Sequence, residues 1–361
     1  MIDTIKFFVP IPDLEVIDEI RRNSIQIKKE NLKTGLVEFA IHTSKVEVGS
    51  YNRSVNIRII DNKYSRGLLI ELSIPKYAKG NNVEMILPSE LPTILEKLSQ
   101  QVTTHLDTPL PHFSTWEIHR LDVCYNWIFS SLEEAKSVMD FLRQIDFPRK
   151  KKSIYDTSVM YVGGAYTVKF YLKGPEFTKH DFYDLKQVDY DWAIDLYTWA
   201  NKIVRFEVGL KKDYLEDFFS RKKVLVEHII DNEKIVETLS FFLKDKVLRY
   251  ISKQNTSDAQ IREILYCHFT KSRATRLFQF HKEYYKENSI IRNMILAGGV
   301  NPSTIWRYKV DLKKVGIGFD LPDTLGVSLL ERLVIPSESS RFDLVDAPER
   351  KPEGEGNQKV V

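Results

Sequence analysis

Three strand-like segments of this chain each place charged or hydroxyl side chains on one face and apolar side chains on the other. They lie at residues 116–123, 167–173 and 203–208. Side chains alternate across a β-strand, so every second residue of a segment shares a face. The polar faces carry Arg120 and Asp122, then Lys169, Tyr171 and Lys173, then Arg205 and Glu207. If the three strands lie in one sheet, its apolar face is core and its polar face gathers carboxylates, basic groups and one tyrosine.

Strand and helix patterns alternate over the first two thirds of the chain. Residues 158–173 read as a hairpin whose turn is Gly163-Gly164. Antiparallel strands interrupted by helices predict an α+β fold built on an antiparallel sheet. Helical periodicity dominates later, and the end is rich in Ser, Pro, Glu, Gly and Lys. We predict an α+β domain over 1–220, a helical domain over 221–335 and a disordered tail over 336–361. We detect no internal repeat in the sequence.

The bulk composition allows a real core and excludes some classes of protein. The chain has 361 residues, 43% of them hydrophobic, and a net charge of only +3, which does not mark a nucleic-acid binder. Two cysteines, Cys124 and Cys267, exclude a disulfide framework and a cysteine zinc site, which suits a reducing cytoplasm. No signal peptide and no apolar run of membrane-spanning length is evident. We predict a soluble cytoplasmic protein with no membrane partner.

Carboxylates recur within the apolar alternation of three strands. Asp122 and Glu207 are joined by Glu71, which lies in the alternating segment 68–74. A carboxylate in such a place costs free energy unless it is paired or binds a metal ion. Pairing with Arg120 or Arg205, two residues earlier, is one interpretation. Metal binding is the other, and oxygen-only ligands favour Mg²⁺ or Mn²⁺ over zinc.

One tyrosine lies on the charged face. Tyr171 stands between Lys169 and Lys173, and flanking lysines or a metal can stabilise the phenolate that a tyrosine nucleophile needs. Tyr161 and Tyr166 are rival candidates in the same hairpin. The eight histidines are scattered without a His-x-His pair. We expect His119 to point to the core side and to be structural.

These motifs, in this order, resemble the gene II/X replication initiators of filamentous phages and related plasmid proteins. The resemblance covers nearly the whole chain up to about residue 320. The matching motifs are Met1-Ile2-Asp3, Ile70-Glu71-Leu72-Ser73-Ile74-Pro75-Lys76, His119-Arg120-Leu121-Asp122, Val168-Lys169-Phe170-Tyr171-Leu172-Lys173, Val204-Arg205-Phe206-Glu207 and Ser303-Thr304-Ile305-Trp306-Arg307-Tyr308.

The resemblance implies a rolling-circle nickase with an HUH-endonuclease-like fold. Tyr171 would attack a DNA phosphodiester, leaving a 5′-phosphotyrosine and a free 3′-OH, and Lys173 would stabilise the phenolate. Asp122 and Glu207, with Glu71 as a further candidate, would hold Mg²⁺ or Mn²⁺. Lys169 and Arg205, on the same face, are expected to contact DNA. The paired histidines of the wider HUH pattern are absent, so the acidic ligand set is inferred from this sequence alone.

A helix near the end of the chain carries basic and aromatic residues. It follows Asn301-Pro302-Ser303, a typical helix start. One interpretation is the second helix of a helix-turn-helix motif, with Arg307, Lys309 and Lys313 contacting DNA. The other is a surface helix with Trp306 and Val310 buried.

The predicted partners follow from this function. They are double-stranded origin DNA, single-stranded nicked DNA, and the helicase and polymerase of a bacterial host. Two alternative functions remain: a non-catalytic origin-binding regulator, and a relaxase or transposase that uses the same chemistry.

Overall fold

The computed structural model describes residues 1–46, 54–145, 147, 150–248, 258–284, 301–315, 317, 333–336, 347 and 348. Within it the chain divides into two compact units. The first comprises Met1–Arg143, Arg149–Ser240 and Ile335–Val361, and the second comprises Gln144–Pro148 and Phe241–Val334. The sequence had suggested a boundary near 220. Most of the predicted tail, 337–346 and 349–361, lies outside the described residues.

The first unit is built on one antiparallel sheet of ten strands in the order β2-β3-β4-β5-β1-β6-β10-β9-β8-β7. The α+β fold with a large antiparallel sheet is therefore confirmed. The strands are β1 (Ile2–Pro10), β2 (Ile25–Glu30), β3 (Val37–Val46), β4 (Val55–Asp61), β5 (Arg66–Ser73), β6 (Glu117–Ile128), β7 (Lys151–Tyr155), β8 (Ser158–Val162), β9 (Tyr166–Leu172) and β10 (Ile203–Lys211).

Helices connect these strands and make up the described part of the second unit. They are α1 (Leu14–Arg22), α2 (Ile74–Lys79), α3 (Leu91–Leu106), α4 (Leu132–Gln144), α5 (Lys173–Phe177), α6 (Tyr183–Val188), α7 (Tyr190–Ala200), α8 (Lys212–Phe218), α9 (Asn232–Phe241), α10 (Asp258–His268), α11 (Lys271–Tyr284) and α12 (Pro302–Lys314). In the described residues, no helix combines the length and the apolar character needed to cross a membrane.

The two halves of the sheet repeat one topology. β1 and β6 are antiparallel neighbours at the centre, and each is followed by a helix, α1 or α4. A run of four strands then returns from the sheet edge, so that β5 ends beside β1 and β10 ends beside β6. A short helix follows each return, α2 or α8, and the second half adds α5–α7 before β10. The two halves thus repeat the same order of strands, outward from the central pair β1 and β6, within one sheet.

The sheet has a front face, which carries Asp122, Tyr171 and Glu207, and a back face opposite to it. On the back, Phe170 and Phe206 are fully buried and stack with ring centroids 5.0 Å apart. Burying one such side chain stabilises the fold by about 1.5–3 kcal/mol. The alternation of apolar residues in β6, β9 and β10 therefore forms the predicted core.

The front of β6, β9 and β10 is also covered in part. Val83 packs in an apolar cluster with α5–α7 and Ile203, and its carbonyl accepts a hydrogen bond from Arg205 on the front. Arg205 and Lys173 are fully buried as a result. The polar face is therefore a partly enclosed site.

Candidate active site

Strands β6, β10 and β9 are direct neighbours, and their register brings the three predicted polar faces together. Glu207 on β10 lies opposite Lys169 on β9, and Arg205 lies opposite Tyr171. On the other side of β10, Gly209 lies opposite Asp122. Residues paired across a sheet share a face. The site is therefore assembled by cross-strand pairing at the centre of the second half-sheet.

Tyr171, Glu207 and Lys169 form the centre of this site. The Tyr171 hydroxyl donates a hydrogen bond to Glu207 Oε2 (3.0 Å), and Lys169 Nζ binds Glu207 Oε1 (2.6 Å). Burial and the negative charge of Glu207 raise the pKa of Tyr171 well above its usual value. Burial would also raise the pKa of Glu207, but Lys169, Tyr171 and Arg205 outweigh it and lower that pKa. Glu207 is therefore an ionised acceptor facing a protonated phenol.

Lys173 does not continue strand β9 as the sequence suggested, because it is the first residue of helix α5. Its ammonium still lies 5.6 Å from the ring centroid of Tyr171 and binds Glu176 Oε2 at 2.5 Å. Burial and the nearby Arg205 lower the pKa of Lys173. Burial would raise the pKa of Glu176, yet Lys173 and Arg205 bring it down to about 2. The Lys173–Glu176 ion pair therefore places the Lys173 ammonium beside the tyrosine ring.

Asp122 is bound to Arg120, as one interpretation of the sequence expected. Arg120 Nε donates to Asp122 Oδ1 (2.9 Å), and Arg120 Nη1 donates to Glu71 Oε1 (3.0 Å). Glu71 also binds Lys6 Nζ at 2.7 Å. Asp122 is 2% exposed. Burial and Glu207 raise its pKa to about 6 even though Arg120 acts in the opposite direction. Asp122 and Glu207 therefore interact electrostatically, whereas Glu71 reaches Asp122 only through Arg120.

Asp3 is a carboxylate of this site to which the sequence assigned no role. It is buried on β1, and its described contact is a hydrogen bond from Ser73 Oγ at 3.4 Å. It forms no ion pair with any residue that the structure describes. Burial raises the pKa of Asp3, and the negative charge of Glu207 raises it further. The sequence feature that could have identified Asp3 is its position as an acidic residue in the largely apolar strand Ile2–Pro10.

Arg205 has a structural position rather than a surface one. Its Nε donates to Asn126 Oδ1 (2.7 Å), and its Nη2 donates to the carbonyl of Val83 (2.8 Å). Its side chain is fully buried, and its guanidinium holds the loop that contains Val83 onto the sheet. The sequence had suggested a DNA contact for this residue. Asn126, which the sequence reasoning missed, shares the front face with Asp122 four residues earlier. The alternation of side chains along β6 could have identified it, because residues 122 and 126 fall on the same face of the strand.

The two rival tyrosines lie away from the site. Tyr161 is opposite Val168, and Tyr166 is opposite Leu210, so both are on the back of the sheet. The Tyr161 hydroxyl donates to the carbonyl of Leu142. Burial raises the pKa of Tyr161. Among the three candidates of this hairpin, Tyr171 alone has its hydroxyl on the front face beside a carboxylate.

Gly209 lets β10 pass close to Asp122. A Cβ atom at this position would lie 2.9 Å from Asp122 Oδ1, closer than real Cβ contacts allow. Any larger residue would push the Asp122 carboxylate away from the strand.

Within the described part of the chain, no three His, Cys, Asp or Glu side chains are arranged as a metal-binding group. Asp122 is held by Arg120, and Glu207 is held by Lys169.

The three residues of α12 that were predicted to contact DNA, Arg307, Lys309 and Lys313, differ in how exposed they are. Arg307 and Trp306 are exposed, Trp306 by 54%, so the interpretation with Trp306 buried does not hold. Lys309 is half-buried, and burial lowers its pKa to about 7. The side chain of Lys313 lies outside the described residues. His119, expected to be structural, stacks on Phe8 at 5.3 Å.

Comparison with known protein families identifies a match for this chain. A family model for the N-terminal region of a phage replication-associated protein, the gene II protein, matches residues 1–231. The matched region contains the whole ten-stranded sheet and every residue of the site described above. Searches among curated proteins and among solved structures found no match. Because the family model covers well over half of the chain, the protein belongs to the family of phage replication-associated gene II proteins.

Proposed function

We propose that this protein initiates rolling-circle replication by nicking one strand of a double-stranded DNA origin, with Tyr171 as the nucleophile. One observation carries the proposal: the Tyr171 hydroxyl faces the ionised Glu207 at 3.0 Å on the polar front of the sheet. A nucleophilic tyrosine needs an adjacent base and positive charge to stabilise the phenolate. Membership of a replication-associated family supports DNA as the substrate.

Glu207 is the proposed proton acceptor. The pKa of Tyr171 is raised, so the free protein carries a neutral phenol that must lose its proton during attack. The lowered pKa of Glu207 keeps its carboxylate ionised and able to receive that proton. Transfer occurs as the new bond to phosphorus develops, which is general base catalysis.

The proposed step breaks one bond and forms one bond at phosphorus. Tyr171 Oη attacks the scissile phosphate, and its proton moves to Glu207. The bond between phosphorus and the 3′ oxygen breaks, and that oxygen leaves with the electron pair and takes up a proton to become a 3′-hydroxyl primer. The 5′ side stays on Tyr171 as a phosphotyrosine. Attack by a later 3′-hydroxyl reverses the step and rejoins the ends.

Lys173 and Lys169 are the proposed electrostatic partners of this step. The buried Lys173 ammonium, 5.6 Å from the Tyr171 ring centroid, stabilises negative charge that develops on the phenol oxygen. Lys169 is half-buried beside Glu207 and is the proposed contact for the incoming phosphate. Fixed charges in a partly dry site act more strongly than the same charges in water.

The acidic residues fit a hard divalent cation. Asp3, Asp122 and Glu207 are buried carboxylates, and the charge of Glu207 raises the pKa of the other two. Mg²⁺ is commonly held by one or two carboxylates together with substrate phosphates. We propose Asp122 and Glu207 as the ligands, with Asp3 behind them, and leave Glu71 with Lys6 and Arg120. The chemistry that Mg²⁺ or Mn²⁺ supplies when bound is charge neutralisation on the phosphate oxygens.

Asp122→Asn is expected to stabilise the protein at pH 8 in EDTA. The folded-state pKa of Asp122 is raised from 3.8 to about 6, so the folded protein holds this proton more tightly than the unfolded chain does. Its ionisation therefore lowers the free energy of unfolding as pH rises through this window. The variant gains up to about 3 kcal/mol at pH 8 and much less at pH 4, measured by urea unfolding.

The same pair of proteins tests the metal site. Mg²⁺ or Mn²⁺ is expected to raise the melting temperature of the wild type at pH 8 and to leave that of Asp122→Asn nearly unchanged. Glu71→Gln is the matched control and should respond as the wild type does. An equal rise in the wild type and Asp122→Asn would place the ion elsewhere.

The nicking proposal is tested with randomised single-stranded DNA in Mg²⁺ or Mn²⁺. DNA labelled at its 3′ end should become attached to the protein, and DNA labelled at its 5′ end should not, since the 5′-phosphate side remains on the tyrosine. Trypsin then separates the candidates, because Tyr171 is the single tyrosine of peptide 170–173 whereas Tyr161 and Tyr166 share peptide 153–169. Nucleotide mass on peptide 153–169, or attachment of the 5′ label, would refute the assignment.

A further inference from the structure

Helices α10 and α11 in the second unit form a closely joined pair. Two residues, Phe269 and Thr270, separate them. The amide of Phe269 donates to Leu265 O, and the amide of Ala274 donates to Thr270 O, so the chain leaves one helix and enters the next without a longer loop. Helix α12 completes a shared core whose buried members are Ile261, Leu265, Ala274, Leu277, Phe278, Phe280, Ile305, Leu312 and Ile317.

One side of α11 remains outside this core. In its first nine residues the exposed side chains are Lys271, Ser272, Thr275, Arg276 and Gln279. They lie within an arc of about 140° at 3.6 residues per turn, and further along the helix the same arc contains exposed Lys282 and half-buried Glu283. The exposed side chains span the first nine residues of the helix, and this set is called the α11 face below.

The charges of the α11 face lack acidic partners. Neither Lys271 nor Arg276 forms an ion pair with a residue that the structure describes. Arg276 instead lies along its own helix, where Nε donates to Ser272 O and Nη2 to Ser272 Oγ. The other cations of α11 are neutralised, Arg273 by Asp311 at 2.7 Å and Lys282 by Asp258. The first nine residues of α11 thus carry two exposed cations, Lys271 and Arg276, with no acidic side chain among them.

The uncharged members of the α11 face add specific hydrogen-bonding groups. Gln279 presents an amide with no described hydrogen-bond partner. The Ser272 hydroxyl accepts from Arg276, and the Thr275 hydroxyl donates to Lys271 O and lies 3.2 Å from the Tyr266 hydroxyl, so each retains further hydrogen-bonding capacity. Arginine bonds guanine, glutamine bonds adenine, and serine or threonine bonds several base edges in the major groove. A helix is also the element that fits the width of this groove.

We infer that the α11 face binds double-stranded DNA in the major groove and reads base sequence there. Arg276 and Gln279 contact base edges, and Lys271 contacts a phosphate. The inference rests on the proposed function only in taking DNA as the substrate, and it names the element that selects the origin. It also differs from the sequence interpretation, which placed this role on α12. The lowered pKa of Lys309 and its half-buried position leave α12 fewer charged groups to offer a phosphate.

The inference is tested by equilibrium binding of the full chain to duplexes with a randomised central segment, in EDTA so that no strand is cut. Bound duplexes are sequenced, and affinities for the selected and a scrambled duplex are measured at several salt concentrations. We expect Arg276→Ala and Gln279→Ala each to lose about 5- to 150-fold discrimination at one base pair. Lys271→Ala should weaken both duplexes alike and reduce the salt slope by about 1.

The controls separate this inference from its competitors. Lys234→Ala removes one half-buried charge of α9, which is paired with Glu237, and should leave both affinities unchanged. A preference lost in Trp306→Ala or Arg307→Ala but kept in the α11 variants would assign the reading to α12 and overturn the inference. So would sequence-independent binding by the wild type, even if adducts on single-stranded DNA still formed. Loss of sequence preference in the α11 variants of a protein that never forms an adduct would support the inference and refute the proposed nicking.

Discussion

Tyr171→Phe is expected to abolish the covalent protein–DNA adduct and to lower the nicking rate by about 10⁴-fold or more. The substitution removes a single oxygen atom, which is the atom that would bond to phosphorus. The remaining ring keeps its place between the sheet and the buried Lys173. The change is followed by transfer of a 3′ label from DNA to protein on a denaturing gel.

The fold should survive this substitution. The lost hydrogen bond to the ionised Glu207 is worth about 1.5–3 kcal/mol, and Glu207 retains Lys169 at 2.6 Å. Tyr161→Phe is the matched control, since it also removes a hydroxyl that donates to one acceptor, the carbonyl of Leu142 on the back of the sheet. Full adduct formation by Tyr171→Phe, or loss of the adduct in Tyr161→Phe, would contradict the assignment.

Alternation along single strands was sufficient to predict which residues share the polar face. In β6, β9 and β10 most residues of the back face are apolar and buried. Because side chains alternate along a strand, the charged residues between them lie on the front face. The pair Arg120–Asp122 was also accessible, because residues two apart on a strand are neighbours. The central part of the site could therefore be predicted from local sequence.

Contacts between strands could not be predicted in this way. Arg205 was the ion-pair partner that the sequence offered for Glu207, but the structure pairs Glu207 with Lys169, because cross-strand register depends on which strands are neighbours. The burial of Arg205 depends on Val83, more than a hundred residues earlier. Lys173 was assigned to β9 because its spacing continued the alternation, yet the chain turns into a helix at that residue.

Edge strands and the repeated topology also escaped prediction, for a related reason. β2 is exposed along most of its length and β7 along much of its length, so neither shows the apolar alternation that marks a half-buried strand. The two half-sheets repeat the same order of strands and helices. Comparing the sequences of the two halves reveals little, because they share a pattern of buried and exposed positions and not the residues themselves. The repeat does explain why Glu71 looked like Glu207. Each lies on the front of the strand that returns beside the centre, β5 or β10.

The nicking rate is expected to fall much further in Glu207→Gln than in Glu71→Gln. The comparison distinguishes the functional carboxylate from its counterpart in the other half-sheet. Glu207 is 4% exposed and binds both Tyr171 and Lys169. Glutamine keeps the shape but removes the charge that accepts the tyrosine proton, so nicking should fall by about 10²- to 10⁴-fold. Glu71 is about one third exposed and is bound by Lys6 and Arg120, and its replacement should change nicking less than about tenfold.

The comparison is informative because both substitutions remove one negative charge from the same face of the same sheet. A general electrostatic effect on DNA binding would change both variants alike, and it would appear in the affinity measured in EDTA. A specific role for Glu207 appears in the single-turnover rate at saturating DNA, with affinity kept. An equal loss of rate in the two variants would return Glu71 to the site and would mean that both half-sheets act on the scissile phosphate.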